Sequence, residues 1–433
     1  MSTTKEIIEK SEKYRMLSFT KLEPIAILAG KGATVRDVEG REYIDCYAGI
    51  GVVNAGHCHP KIVEALKSQA ESLLHCCSYV YHNIPATELS VRLAEIAPPG
   101  LEKTFLGNSG AEANECALKL ARKFTKKHEL LALECSFHGR TIGTLSVTGQ
   151  AGRRRYDMGP YLSGVSFAPV PYCYRCPFEK EYPDCDILCA RILEDIIAYH
   201  TSDCVAAFIA EPVLGEGGII VPPDDYFKVV KKSLDAHGIL FIADEVQSGF
   251  GRTGKMFGVE QYGVVPDIMT MGKAIAGGLP LSACIAKADI GDAFEPGDHL
   301  STFGGSPICC AAALANIEIF KEEHLTEQAA KEGEYLLKRL NEMKERHELI
   351  GDVRGKGLFV GIELVRDRKT KEPAVEETAK VKEEARKRGI LVGSGGVKRC
   401  TIRFQPPLVI TRGELDTMLT VIDGILSNIE KQS

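Results

Sequence analysis

The sequence predicts an α/β protein, with a large domain on a mainly parallel sheet and a smaller α+β domain made from both ends of the chain. Three observations carry that prediction. Between about residues 61 and 320, amphipathic stretches such as KIVEALKSQAESLL and ANECALKLARKF alternate with short apolar runs such as CVAAFIAEP and GILFIAD, as when helices cover both faces of a parallel sheet. Before residue 60, ATVRDVEGREYIDCYAGIGV alternates apolar and polar residues around a DVEG turn. That predicts a short hairpin after a helical start. Beyond Lys321 the composition turns Lys/Glu-rich and helical, then returns to strand in GLFVGIELV and TIRFQPPLVI. The predicted division is a large domain at 61–320 and a small one combining segments 1–60 and 321–433.

A chain of 433 residues suits that division, since domains run to about 100–200 residues. With 44% hydrophobic and 26% charged residues, it has the composition of a globular protein rather than a disordered or fibrous one. Its net charge of −6, from 53 Lys plus Arg and 59 Asp plus Glu, leaves no basic stripe for a phosphate backbone. Nucleic acid is therefore not an expected partner. No apolar run approaches the ~20 residues of a membrane helix, and the opening MSTTKEIIEKSEKYRM is charged where a signal peptide would be apolar. These features predict a soluble, cytoplasmic protein. Fifteen cysteines fit that compartment as thiols, because an odd count with adjacent pairs is awkward for complete disulfide pairing.

Three segments ask for chemistry. In GILFIADEVQSGFGRTGK, the apolar run from Ile239 to Ala243 ends in Asp244 and Glu245, which delivers a carboxylate at the end of a buried strand. Ligands bind α/β sheets at that edge. A helix cap or a structural ion pair is the alternative for an isolated aspartate there. In PDIMTMGKAIAGGLPLSACIA, Lys273 is the only charge between Asp267 and Lys287. Desolvation would lower its pKa and make the amine a usable nucleophile, whereas a snorkelling surface lysine is the alternative. In KTFLGNSGAEANECALKLARK, a strand gives way to Asn108-Ser109-Gly110-Ala111 and then a helix. Such a helix start offers free N–H groups and a positive dipole end to a phosphate, or Ser109 is an ordinary N-cap.

One apparent motif misleads. Gly249, Gly251 and Gly254 spell GxGxxG, and Lys255 nearly completes a Walker loop. Met256 stands where that loop needs Ser or Thr for Mg²⁺, and MFGVEQYGVVPD does not predict the helix that either nucleotide motif requires. Both nucleotide readings are rejected. Taken together, a desolvated lysine, a buried anion and a phosphate-binding helix start are the parts needed to hold pyridoxal phosphate as a lysine Schiff base.

At this point the chain resembles the class III (ω-amino acid) aminotransferases of fold type I, the family of 4-aminobutyrate, ornithine and acetylornithine aminotransferases. The resemblance spans about Val35 to Leu408 and rests on GHCHP, NSGAEANE, FHGRT, EPVLGEGG, DEVQSGFGRTG, the GK of Lys273 and STFGGSP. It implies that Lys273 forms the Schiff base with pyridoxal 5′-phosphate and carries the proton in transfer, and that Asp244, at the family's spacing of 29 residues, holds the ring nitrogen protonated. It further implies that Ser109, Gly110 and Ala111 bind phosphate, that Phe137 and Val246 cover the two ring faces, and that Gln247 reaches the ring hydroxyl. His138 belongs to the same cofactor set, and Thr302 reaches the phosphate of a neighbouring subunit. A homodimer with shared active sites follows, with a tetramer left open.

For substrate, the resemblance matches Arg403 to the arginine that takes an α-carboxylate, and Glu216 to the glutamate that screens it when an ω-amino donor is bound. Arg140 would hold the distal carboxylate, and Ile50 matches the small apolar pocket residue of 4-aminobutyrate enzymes. The implied function is ping-pong amino transfer, through pyridoxamine phosphate, from a 4-aminobutyrate-like donor to a keto acid such as 2-oxoglutarate. The alternative is an amino acid racemase or epimerase of the same fold; those relatives tend to carry Asp where this chain has Glu216. A third reading comes from Cys173, Cys176, Cys185 and Cys189, spaced C-x2-C-x8-C-x3-C. Four thiolates so spaced could bind Zn²⁺ or an iron–sulfur cluster, as a clip or an interaction module, with free thiols or a labile disulfide as the alternatives.

Overall fold

A computed structural model describes residues 3–16, 18 and 22–432. Its centre is a seven-stranded sheet. In chain order its strands are β1 Leu101–Gly107, β2 Glu129–Leu133, β3 Val165–Ala168, β4 Val205–Ala210, β5 Leu240–Asp244, β6 Ile268–Met271 and β7 Ser282–Lys287. Their spatial order is β1-β7-β6-β5-β4-β2-β3. The five from β6 across to β3 are parallel, whereas β7 runs antiparallel to both β6 and β1.

The apolar runs become strands because both faces are covered. Ala207 and Ile209 of β4 pack with Cys116, Ala117, Leu120 and Ala121 of the helix Gly110–Thr125. Phe208 and Ala210 face the opposite core, with Phe227 and Leu234 of the helix Tyr226–Ala236. Every residue of β4 is buried. The reversal at β7 has a local cause. Only residues 272–281 connect β6 to β7, and they hold one 3-10 turn, Lys273–Ala276. A parallel return needs about a dozen residues or more, usually with a helix, so the chain turns straight back.

That reversal matters for the site. Because β7 is antiparallel to its two neighbours, β1 points the same way as β6. The carboxyl ends of β1, β2, β4, β5 and β6 therefore lie along one edge of the sheet.

The expected hairpin is present: Thr34–Asp37 pairs antiparallel with Glu42–Asp45. Ile390–Leu391 adds parallel to the second of these strands, joining the two ends of the chain in one small sheet. A second small sheet runs Ile350–Lys356, Phe359–Asp367, Thr401–Phe404 and Gly393–Gly395, with the short strand Glu372–Pro373 pairing to Phe359–Asp367 as its fifth member. The strand expected across TIRFQPPLVI ends at Phe404, before the two prolines. No helix among the described residues is long and apolar enough to cross a membrane. The GxGxxG segment is a run of turns whose Arg252 is fully buried, donating to the carbonyls of Leu358 (3.0 Å) and Pro406 (2.6 Å). It ties the large domain to the C-terminal segment.

Candidate active site at the carboxyl edge of the large sheet

Asp244 is the last residue of β5 and is buried. Its Oδ2 accepts from Asn114 Nδ2 at 2.8 Å and lies 2.7 Å from His138 Nδ1; its Oδ1 accepts from the Val246 N–H at 3.1 Å. A buried carboxylate is stable when such donors satisfy it. With Asp244 ionised, Nδ1 of His138 carries the proton. Asn114 is itself fixed, since Nδ2 also donates to the His138 carbonyl and Oδ1 accepts from Thr270 Oγ1 on β6. His138 thus stands behind Asp244. Its Nε2 is buried with no hydrogen-bond partner among the described residues.

Lys273 follows β6 by one residue and sits at φ 43°, in the left-handed region. For a non-glycine residue that backbone costs about 1–3 kcal/mol, and such strain gathers at functional sites. Burial lowers its pKa; the carboxylates of Glu216, Asp244 and Glu211 oppose that shift and Arg403 reinforces it. The neutral amine is therefore easier to reach than in water.

Ser109 caps the helix Gly110–Thr125, its Oγ accepting from the Glu112 N–H at 3.3 Å. The N–H groups of Gly110 and Ala111 precede the first intrahelical bond, from Ala113 N–H to the Ser109 carbonyl, and such free N–H groups at a helix start can receive an anion. A side chain at Gly110 would lie 2.6 Å from Val246 Cγ1, and one at Gly272 would lie 3.4 Å from Gly110 Cα. The segments after β1, β5 and β6 meet here, so closely at Gly110 that a methyl group would force Val246 to shift.

Above this floor lies a cavity of about 420 Å³ lined by Tyr47, Ile50, Arg154, Glu216 and Arg403 among others. Arg403 is buried on Thr401–Phe404. It donates from Nη1 to Glu216 Oε1 at 2.6 Å and from Nη2 to the Tyr47 hydroxyl at 2.8 Å. Arg154 donates from Nη2 to the other Glu216 oxygen, Oε2, at 2.8 Å. Burial alone would raise the Glu216 carboxyl, but Arg403 foremost, then the Lys273 ammonium and Arg154, bring it down to about 2. Only five residues upstream, Glu211 is pushed up to about 7 by burial; nearby His138 lowers it and Asp244 raises it. Among the described residues its oxygens accept from backbone N–H groups, of Phe137 at 2.9 Å and Gly215 at 3.0 Å. Ile50 lies in a left-handed turn from Ala48 to Gly51, at φ 72°. Asp45 Oδ1 pins the start of that turn through the N–H groups of Tyr47 and Ala48.

Of the remaining expected residues, Gln247 donates to Gln405 Oε1 at 2.9 Å, two residues beyond Arg403. Phe137 has the guanidiniums of Arg154 and Arg140 at 5.3 and 5.5 Å from its ring centre. Arg140 itself is exposed, and so is Thr302, on a loop tied to the β1 end by Asn108 Nδ2 donating to Ser301 Oγ at 2.9 Å. The motif reading did not single out Asn114, Glu211, Tyr47 or Arg154. Asn114 had a signal, being a polar residue on the buried face of its helix, between Ala113 and Ala117.

The metal expectation for Cys173, Cys176, Cys185 and Cys189 is corrected. The four line one small cavity, but no three His, Cys, Asp or Glu side chains among the described residues converge as a metal-binding group. Burial and the neighbouring cysteines push the Cys189 thiol up to about 12 and raise Cys173 in the same direction.

An amine at one strand end, a fixed carboxylate at the next and a helix N-terminus at a third are the groups that pyridoxal phosphate requires. The profile described as "Aminotransferase class-III" matches residues 19–426. A leucine/methionine racemase of Thermococcus litoralis is 44% identical over 98% of this chain and 96% of its own length. An acetylornithine aminotransferase of Methanothermobacter thermautotrophicus is 43% identical over 98% of this chain and 100% of its own. A probable 4-aminobutyrate aminotransferase of Bacillus subtilis is 40% identical over 91% of each. Among solved structures, a Bacillus anthracis aminotransferase superposes with a TM-score of 0.93 at 36% identity, covering 99% of this chain and 100% of that one. The chain belongs to the class III family of pyridoxal-phosphate-dependent aminotransferases, with the fold type I architecture.

Proposed function

We propose that this enzyme moves the amino group of an ω-amino acid of the 4-aminobutyrate class to a 2-oxo acid such as 2-oxoglutarate. The observation that carries this reading is the buried Arg403–Glu216 pair in the cavity beside Ile50. A free buried arginine would select α-carboxylates only. One already held by a glutamate can be masked for a donor without an α-carboxylate and unmasked for the keto acid.

Pyridoxal phosphate, when bound, supplies the carbonyl that accepts the amino group and the electron sink for the bond broken. The residues divide the remaining work. Ser109, Gly110 and Ala111 hold the phosphate at the helix start. Asp244, fixed by His138 and Asn114, keeps a proton on the ring nitrogen. Phe137 and Val246 fix the plane of the ring, Gln247 reaches its hydroxyl, and Lys273 Nζ moves the substrate proton. Arg140 takes the distal carboxylate and Ile50 sets the width of the pocket.

The same proposal includes a cytoplasmic homodimer. Fifteen unpaired cysteines support the compartment. Val80, Tyr81, Ile84, Leu300 and Phe303 are exposed around Thr302, and the His75 and Phe303 rings, 5.1 Å apart, join the two segments. Such a patch on a lone chain marks an interface. The division at residues 60 and 320 is supported by the pairing of Ile390–Leu391 with Glu42–Asp45.

A second reading, amino acid racemisation, is favoured by the 44% identity to the Thermococcus racemase. Single-turnover spectroscopy separates donors and readings. The holoenzyme is mixed with 4-aminobutyrate, N-acetylornithine or L-leucine, and its visible absorption is followed. The proposal expects 4-aminobutyrate to bleach the band and 2-oxoglutarate to restore it. Bleaching by N-acetylornithine alone would move the substrate assignment to that donor.

A further inference from the structure

The Glu216 carboxylate is shared between two cations, one on each oxygen, and Arg154 has no part in the reading above. We propose that Arg154 is the positioning residue that keeps Glu216 paired when Arg403 leaves it for a substrate α-carboxylate. The inference rests on the reading of Arg403 as the α-carboxylate site and adds the element that lets the exchange happen inside a buried cavity.

Three features support it. First, Arg154 is 6% exposed and held from behind: its Nε donates to Gln150 Oε1 at 3.3 Å, and Gln150 Nε2 donates to the Cys135 carbonyl at 3.1 Å. Its guanidinium also lies over the Phe137 ring. It is therefore anchored to the large domain independently of Glu216. Arg403 reaches the same carboxylate from Thr401–Phe404, in the C-terminal segment. Second, withdrawing Arg403 from a buried glutamate with no other partner would leave an uncompensated charge, a severe cost. With Arg154 on Oε2, the carboxylate keeps a charge-assisted hydrogen bond throughout. Third, the trio carries one net positive charge, two guanidiniums against one carboxylate. An incoming α-carboxylate brings the trio to neutrality, whereas Arg403 and Glu216 without Arg154 would carry one net negative charge together with that carboxylate.

The test uses the holoenzyme and glutarate, an unreactive five-carbon dicarboxylate, with affinity read by calorimetry and the two half-reactions read separately. Arg154→Gln is expected to weaken glutarate by about tenfold or more. It should raise KM for 2-oxoglutarate more than it lowers the rate at saturation, and affect the keto-acid half-reaction about tenfold more than the donor half-reaction. Arg154→Lys should recover most of the affinity. The decisive variant combines Arg154→Gln with Glu216→Gln, which removes the competing anion and should restore glutarate binding. A merely structural loss at Arg154 would not be repaired that way. Arg154→Met, which keeps an apolar stem against Phe137, serves as the second neutral variant if Arg154→Gln does not fold. Unchanged glutarate affinity in the neutral variants, or a loss that Glu216→Gln fails to relieve, overturns the inference. Arg403→Lys separates the two levels: if it leaves glutarate binding intact, the Arg403 reading and this inference both fall. If Arg403→Lys weakens binding while the Arg154 variants do not, only the role of Arg154 falls.

Discussion

Glu211 and Glu216 are glutamates five positions apart, one buried and one half-buried, and their carboxyl groups are driven in opposite directions, to about 7 and about 2. The difference separates two regions of one site. Around Glu211 and Asp244 is a floor built on strand ends, where anions are held by backbone N–H groups, an amide and an imidazole. Around Glu216 is a gate, where an anion is held by two guanidiniums from different segments. Donors fixed at the strand ends hold a charge in one place. Two competing cations allow one partner to be exchanged for a substrate, so positioning belongs to the floor and selection to the gate.

The largest effect should come from the floor. Lys273→Ala is expected to lower turnover by about 10⁴-fold or more in both half-reactions alike, because it removes the amine that moves the proton in each; steady-state and single-turnover rates check this. Asp244→Asn should cost about 10²–10³-fold in kcat, again in both directions, by removing the fixed charge from the floor. Loss confined to one half-reaction would break the distinction between floor and gate. At the gate, Glu216→Gln should instead split the half-reactions, improving 2-oxoglutarate and worsening 4-aminobutyrate by about tenfold each. Kinetics with each substrate alone will read that ratio.

A smaller effect is thermodynamic. Glu211 binds its proton more tightly folded than unfolded, so its contribution is fully present below about 4.5 and is lost as pH rises to about 7. Glu211→Gln should flatten the decline of stability across that window by about 3 kcal/mol at most, measured by denaturant melts at several pH values. Glu216 has the opposite sign: its contribution is present above 4.5 and lost only as pH falls toward about 2. Smallest of all, Gly110→Ala should destabilise by about 1–3 kcal/mol through its clash with Val246, visible as a lower Tm.

The floor was more legible in the sequence than the gate, for a physical reason. Asp244 ends an apolar run and Lys273 is the one charge in another, and both patterns are local because a buried strand announces itself and any charge at its end. The antiparallel return of β7 was not read, although the ten-residue connection that forces it is also local. The gate depends on residues 187 apart meeting across two parts of the chain. No periodicity contains that contact, and only the family resemblance pointed to Glu216 and Arg403 together. Arg154 was hidden more deeply, in a run of three arginines at 153–155 that reads as solvated charge until the fold turns it inward. The cysteine spacing was legible and still misleading: the four thiols line one small cavity, but no three metal-ligating side chains among the described residues form a metal-binding group.

One measurement tests the central claim, that a fixed floor and an exchangeable gate make this an amino-transferring site. The holoenzyme is incubated with a single amino donor and no keto acid, and both product per subunit and optical activity are followed. The account predicts one equivalent of carbonyl product from 4-aminobutyrate, a halt, and renewed turnover when 2-oxoglutarate is added. Catalytic loss of optical activity from an L-amino acid such as leucine, with no stoichiometric product and no need for a keto acid, would contradict it.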